Sequence, residues 1–328
     1  MDPRKKKVLG STGLEVTRLG LGCASLGWLE GDTAQEQANA VVGKALSLGV
    51  NILDTAPKYG TGKSEQRLGK ALQEVPRDSY VLASKVGRLL HTPEELEGMP
   101  ADQQERRGIY FDFSYDGVMR SLEESLERLG LDRIDVLHIH DPDRHYDEAI
   151  GGAYTALDKL RSDGVIKGVS AGMNQWQMLA QFAQEGEFDC FLMAGRYSLL
   201  EQGALDELLP LCIEKNIGIV AGGTYNSGLL AKVGEGDATY NYRKPPPEIE
   251  EKARALNEAA DRHGVDLKAA ASQFVLAHPA ITCIIPGTRF PERVEENFRV
   301  IEDEIPADFW ADLKEEELIR REAPVPGD

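Results

Sequence analysis

Cysteine is scarce in this chain. Four are spread over 328 residues, at Cys23, Cys190, Cys212 and Cys283, and none forms a C-x-x-C pair. Three lie inside apolar runs, so reduced, buried thiols are expected instead of disulfides or a zinc site, and no metal is expected. Positive charge is short as well. Basic residues number 37 against 55 acidic ones, a formal net charge of −18. So acidic a chain is a poor match for nucleic acid or an anionic membrane, and neither is expected as a partner. No apolar run approaches the roughly 20 residues a membrane helix needs. The basic opening, MDPRKKKVLGST, has no apolar stretch behind it and does not read as a signal peptide. No Pro/Ser-rich linker divides the chain; Pro245-Pro246-Pro247 only punctuates a loop. The expectation is one domain over 1–328, located in the cytoplasm. Oligomeric state has no signature in the sequence.

What the chain does have is alternation. Strand-like runs RLGLG (18–22), VNILD (50–54), YVLASKV (80–86) and IDVLHIH (134–140) are followed by VIKGVSA (165–171), FDCFLMA (188–194), IGIVAGG (217–223) and ITCIIPG (281–287). Helical periodicity follows each in turn, near 33–48, 64–73, 116–129, 147–163, 175–185, 204–215, 247–263 and 291–300. Thr33 and Ser64 are expected as helix caps, and Gly49, Gly130, Gly164 and Gly264 as C-terminal stops. KVLGSTGLEVTRL reads as a hairpin turned at Ser11-Thr12-Gly13, and a last helix covers 307–320. Eight βα units in one domain-sized chain predict a (β/α)8 TIM barrel with an N-terminal β-hairpin and a C-terminal extra helix. A doubly wound open sheet is the alternative.

Four polar residues stand at or just beyond the ends of strand runs: Asp54, Tyr59, Lys85 and His140. Polar groups delivered at one end of parallel strands describe an active site on a barrel. Lys⁺ beside a phenol favours phenolate, and Asp⁻ keeps the Lys charged and oriented. The expected result is a proton donor or acceptor usable near neutral pH. His138 and His140 alternate on one strand and are expected on opposite faces, one inside the barrel and one packed under helices. Long loops at 87–114, 141–146 and 223–246 are expected to build the ligand site. Trp28, Arg88 and Tyr225 are the candidates to touch substrate, with His91 and Tyr110 as further lining residues. The blander reading of each is loop packing.

The stretches NILDTAPKYGTGKSEQRLGKAL, SYVLASK and DRIDVLHIHDPD together resemble the aldo-keto reductase superfamily. The family pattern has an Asp, a Tyr five residues on, a strand-ending Lys and a His closing a D-x-x-x-x-H strand. Asp54, Tyr59, Lys85 and His140 fill these positions, and His140, not His138, falls at the family's site. The resemblance implies hydride transfer between an alcohol and a carbonyl with NAD or NADP. Tyr59 would be the acid/base, Lys85 and Asp54 would tune it, and His140 would hold the reacting oxygen.

It also implies a nucleotide site. IIPGTRFPERVEEN resembles the adenosine-phosphate segment, giving Gly287, Thr288, Arg289, Arg293, Glu296 and Asn297. Gly287 stands where many members carry a Lys, which loses one cation for a 2′-phosphate and makes NAD a candidate beside NADP. NSGLL resembles the loop along the pyrophosphate, giving Ser227, Gly228 and Leu229. Ser170 matches a residue beside the nicotinamide amide, with Asn174 in place of the Asn expected at Ala171. LGLGCASLG (19–27) is a partial dinucleotide fingerprint with Ser25 where the third Gly belongs, and it is set aside as a motif. Gly22, at the strand end, is retained as a cofactor contact. VSAGMNQWQ and GGTYNSGLLA resemble the branch of D-threo-aldose, L-fucose and L-galactose 1-dehydrogenases and pyridoxal 4-dehydrogenase. The implied partner is a small molecule, a sugar or an aldehyde. Rival readings are a general NADPH-dependent aldehyde or ketone reductase and a cofactor-sensing regulatory protein.

Overall fold

The computed structural model describes residues 1–92, 95, 108–235 and 238–328. Parts of the expected loops 87–114 and 223–246 lie outside them. Eight strands form one sheet: β3 (Leu21–Gly22), β4 (Ile52–Asp54), β5 (Val81–Val86), β8 (Val136–His140), β9 (Gly168–Met173), β10 (Cys190–Ala194), β11 (Gly218–Gly222) and β12 (Ile281–Ile284). Neighbours in that order run parallel throughout. The sheet closes on itself. Leu19 pairs with Ile284 and Gly22 with Gly287, and the Gly20 amide donates to the Ile284 carbonyl at 2.8 Å. The protein is a (β/α)8 barrel, not an open sheet.

The opening hairpin pairs β1 (Lys6–Val8) with β2 (Glu15–Thr17). Its Leu9 and Val16 join Ile52, Val81, Val136, Cys190, Val220 and Cys283 in the barrel interior, so the hairpin plugs the N-terminal mouth. A second, larger apolar layer lies between the sheet and the helices. Strands wedged between two apolar layers must be apolar on both faces, which is why their sequences are near-continuous hydrophobic runs. The four cysteines are buried and unpaired. Among the described residues no helix is long and apolar enough to cross a membrane, and no cluster of metal-ligating side chains occurs.

Several details differ from expectation. The seventh strand is followed by two helices, Pro247–His263 and Leu267–Ala277. The second is buried on almost every side, so its sequence carries no amphipathic period. The segment expected as one helix near 147–163 is interrupted by a π-turn at Ala149–Ala153. The loop after β5 carries an added hairpin, β6 (Arg88–Leu90) with β7 (Ile109–Phe111). Thr33 makes no side-chain cap, and Ser64 lies inside the helix Lys63–Leu72. The Ser64 hydroxyl instead donates to the Cys23 carbonyl at 2.7 Å, tying that helix to the end of β3.

Candidate active site

Asp54 is the last residue of β4 and Lys85 sits near the end of the adjacent β5. Parallel neighbours with inward side chains meet at the same height, and these two form a buried ion pair. Lys85 Nζ donates to both Asp54 carboxylate oxygens at 2.7 Å and to the Thr55 carbonyl at 2.8 Å. Burial opposes the Asp54 charge, but the Lys85 ammonium and the His138 imidazole hold its pKa below the usual carboxylate value. Burial likewise opposes the Lys85 charge, and Asp54 with Tyr59 outweighs it, leaving the ammonium firmly protonated.

Tyr59 stands on a tight turn beyond β4. The turn needs glycine: Gly60 has φ +62°, and a Cβ there would fall 2.1 Å from the Gly27 carbonyl oxygen. Gly27 in turn approaches the Tyr59 carbonyl so closely that its own Cβ would lie 2.6 Å away. Backbone contact between Gly27 and Gly60 therefore fixes where the phenol points. The Lys85 ammonium is 5.2 Å from the Tyr59 ring centroid, and its charge favours the phenolate. The His140 imidazole meets the same ring edge-on, centroids 6.0 Å apart at 81°.

The structure corrects the expectation for the two histidines. Residues two apart on a strand share a face, and both point inward. His138 Nε2 lies 3.4 Å from Asp54 Oδ1, and its Nδ1 is 2.6 Å from the Ser170 hydroxyl. His140 Nε2 lies 3.7 Å from Asp141 Oδ2. Burial and the nearby cations Lys85, Arg88 and Lys58 hold the His140 pKa far below its ordinary value, so the ring is neutral.

The Tyr59 phenol also differs from expectation. Burial pushes it up to about 12; Lys85 pulls it down, and Asp54 and Asp141 push it further up. The lysine acts in the expected direction, but burial outweighs it. Tyr59 and His140 thus present a protonated hydroxyl and a neutral imidazole side by side.

At the rim, Arg88 pairs with Asp141 at 2.9 Å and lies over the Phe111 ring at 4.9 Å. Asp141 follows His140 at φ +44°, a left-handed backbone that turns its carboxylate back over the site. Burial raises the Asp141 pKa, against Arg88 and Lys58. Asp141 and Lys58 carried no sequence signal of their own. Trp28 is 55% exposed. It shares a surface cleft with Arg289 and Phe290.

The other expected residues fall into two groups. Gly22 and Gly287 face each other where the barrel closes: a Cβ on Gly22 would lie 2.6 Å from the Ile285 carbonyl oxygen. Ser170 is fully buried against His138, while the Asn174 amide donates to the Ala194 carbonyl at 2.7 Å. In the NSGLL loop, Asn226, Ser227 and Gly228 all have left-handed backbones, at φ +46°, +59° and +98°. Thr224 Oγ1 and Asn226 Oδ1 are buried there without partners. Leu229 is buried beside them.

Beyond β12, Ser25 donates to the Thr288 carbonyl at 2.6 Å and Gln37 to the Arg289 carbonyl at 2.7 Å. The helix Pro291–Glu302 then opens with no side-chain cap. On it, Glu296 pairs with both Arg293 and Lys268. Asn297 accepts from the Tyr225 hydroxyl at 3.3 Å, and Tyr225 also meets Ser272 at 2.9 Å. Tyr225, expected against substrate, therefore sits with this second group. Lys268, missed because its helix was missed, joins it.

Residues 18–317 match the sequence profile described as the Aldo/keto reductase family. A pyridoxal 4-dehydrogenase of Microbacterium luteolum is 40% identical, covering 96% of this chain and 98% of the relative. A D-threo-aldose 1-dehydrogenase of a Pseudomonas species is 39% identical, covering 94% and 96%. Among solved structures, a holo-form aldo-keto reductase of Bacillus halodurans superposes with a TM-score of 0.77 at 26% identity, over 99% of this chain and 98% of that one.

Proposed function

This chain belongs to the aldo/keto reductase family, and on that premise we propose that it is an NAD(P)-dependent dehydrogenase oxidising a sugar hemiacetal at C1 to a lactone. The observation that carries the proposal is the convergence of Asp54, Lys85, Tyr59 and His140, with Lys85 held by two 2.7 Å bonds to Asp54. The 39% identity to a D-threo-aldose 1-dehydrogenase supports the substrate class. A nicotinamide nucleotide, when bound, supplies or accepts the hydride.

The residues of this chain fit that nucleotide. Thr224 Oγ1 and Asn226 Oδ1, buried and unpartnered, leave a polar demand beside NSGLL that a phosphate-and-ribose chain answers. Ser227, Gly228 and Leu229 would run along the pyrophosphate, and Gly22, Ser170 and Asn174 would border the nicotinamide end. Thr288, Arg289, Arg293, Glu296 and Asn297 would hold the adenosine end, with Lys268 and Tyr225 beside them. Gly287 supplies no cation, and Glu296 already occupies Arg293 and Lys268. Both facts favour NAD over a nucleotide with a 2′-phosphate.

The chemistry at the substrate oxygen is a proton transfer at Tyr59 Oη. In oxidation the phenolate removes the hydroxyl proton; in reduction the phenol returns it. Lys85 stabilises the phenolate, Asp54 keeps Lys85 charged, and neutral His140 donates a hydrogen bond to the same oxygen. Arg88, with Trp28 at the open side, would meet the rest of the substrate. A panel of aldoses, pyridoxal and simple aldehydes, assayed with NAD and NADP in both directions, tests the proposal. Turnover of at least one aldose supports it; turnover of simple aldehydes alone would replace it with a general reductase. Oxidation of pyridoxal is the second reading, favoured by the 40% identical relative.

A further inference from the structure

One buried side chain lies outside the four and faces one of them, Asp54, directly. His138 is inward-facing on β8 and 1% exposed. Its Nδ1 is 2.6 Å from the Ser170 hydroxyl on β9, while its Nε2 makes no hydrogen bond and has Asp54 Oδ1 before it at 3.4 Å, an electrostatic contact. A buried imidazole whose one nitrogen has only a carboxylate before it must present a proton there, or leave both lone pairs opposed. The serine fits the pattern: an O–H donated into Nδ1 goes with the neutral Nε2–H tautomer, and we take that direction for the 2.6 Å contact. The result is a chain of contacts Ser170, His138, Asp54, Lys85, Tyr59, crossing β9, β8, β4 and β5.

We propose that His138, oriented by Ser170, is a positioning residue that holds the Asp54 carboxylate and so sets how strongly Lys85 acts on the Tyr59 phenol. The physical argument is charge sharing. Asp54 makes two short bonds to Lys85 and faces the imidazole N–H with the same Oδ1. Carboxylate charge drawn toward His138 cancels less of the Lys85 charge, and more positive potential remains at Tyr59. Without the imidazole N–H, Asp54 turns wholly on Lys85 and the phenolate loses support.

The other groups around this chain do not change that logic. Cys23, Cys190 and Cys283 are buried, and burial raises each thiol so that it stays neutral. His140 is neutral. Asp141 pushes the Tyr59 phenol up, but it is paired with Arg88 and makes no hydrogen bond or ion pair with His138.

The inference rests on Tyr59 as the acid/base of the proposed function, and the experiment keeps the two apart. The pH profile of kcat for oxidation of the best aldose would be measured for wild type, His138→Leu, His138→Gln and Ser170→Ala, with Tyr59→Phe alongside. His138→Leu should lower kcat about tenfold at neutral pH, the low end for losing a polar contact to a charged group. The rising limb of its profile should move to higher pH with KM unchanged. His138→Gln, which retains an N–H, should recover most of the loss, and Ser170→Ala should shift the limb in the same direction by less. A His138→Leu profile superimposing on wild type would overturn the inference while leaving the proposed function intact. Full turnover by Tyr59→Phe would remove both. Independently of any substrate, ¹⁵N spectra of the wild-type imidazole should show an Nε2–H tautomer that does not titrate between about pH 5 and about pH 8. An Nδ1–H tautomer, or an imidazolium in that range, would overturn it even where His138→Leu fails to fold.

Discussion

Lys85 Nζ lies 2.7 Å from each carboxylate oxygen of Asp54, with both side chains almost wholly removed from solvent. The arrangement follows from two adjacent parallel strands ending at one height, and it keeps a full positive charge beneath the Tyr59 phenol. Neither partner can be changed without leaving the other stranded.

The first consequence is for stability. Asp54→Asn should cost about 3–5 kcal/mol, because it leaves a buried ammonium without its counter-ion. Urea unfolding at neutral pH measures it. Asp54 titrates below its unfolded value of 3.8, so its contribution is full above that value and lost as pH falls through the folded one. The variant should therefore lose less stability on acidification than wild type does.

The phenol sets the pH dependence. With Tyr59 pushed up to about 12 by burial, the phenolate is a minor species at neutral pH. In the proposed mechanism oxidation uses the phenolate as base and should climb with pH, still climbing at about pH 9, whereas reduction uses the phenol and should stay level. Initial rates in both directions decide this; an oxidation optimum near neutrality would contradict it.

Gly60→Ala should damage the rate more than the fold. The new Cβ would strike the Gly27 carbonyl, and φ +62° disfavours it as well. The turn must shift, carrying the Tyr59 hydroxyl off its line with His140. A kcat loss of at least about tenfold, with thermal unfolding lowered only modestly, is expected.

In the proposed nucleotide site, Glu296 is the residue expected to bias the choice of nucleotide. It pairs with both Arg293 and Lys268. Glu296→Gln frees two cations, so the ratio of kcat/KM for NADP to that for NAD should rise about tenfold. An unchanged ratio would show that the 2′ position is read elsewhere.

Much of this was legible in the sequence because strand ends are legible. Asp54, Lys85 and His140 close apolar runs, and parallel strands deliver their ends to one face. The helix Leu267–Ala277 was invisible for the opposite reason: buried on almost every side, its residues show no amphipathic period, and Lys268 was lost with it. His138 was legible and misjudged, since a two-residue step along a strand returns to the same face. The proton affinity of Tyr59 depends on burial by elements distant in sequence, such as the turn holding Gly27, and strand patterns do not carry that. The Arg88–Asp141 pair joins the added β6–β7 hairpin to the loop after β8, whose shapes the sequence leaves open.

The most direct test is Tyr59→Phe, which deletes one oxygen and leaves the ring contacts with Lys85 and His140 in place. Nucleotide affinity, followed by fluorescence titration, should stay within about twofold of wild type, and kcat on the best aldose should fall by a factor of about 10² to 10⁴. Undiminished turnover, with the nucleotide bound as before, would contradict the assignment of Tyr59 as the group that moves the proton.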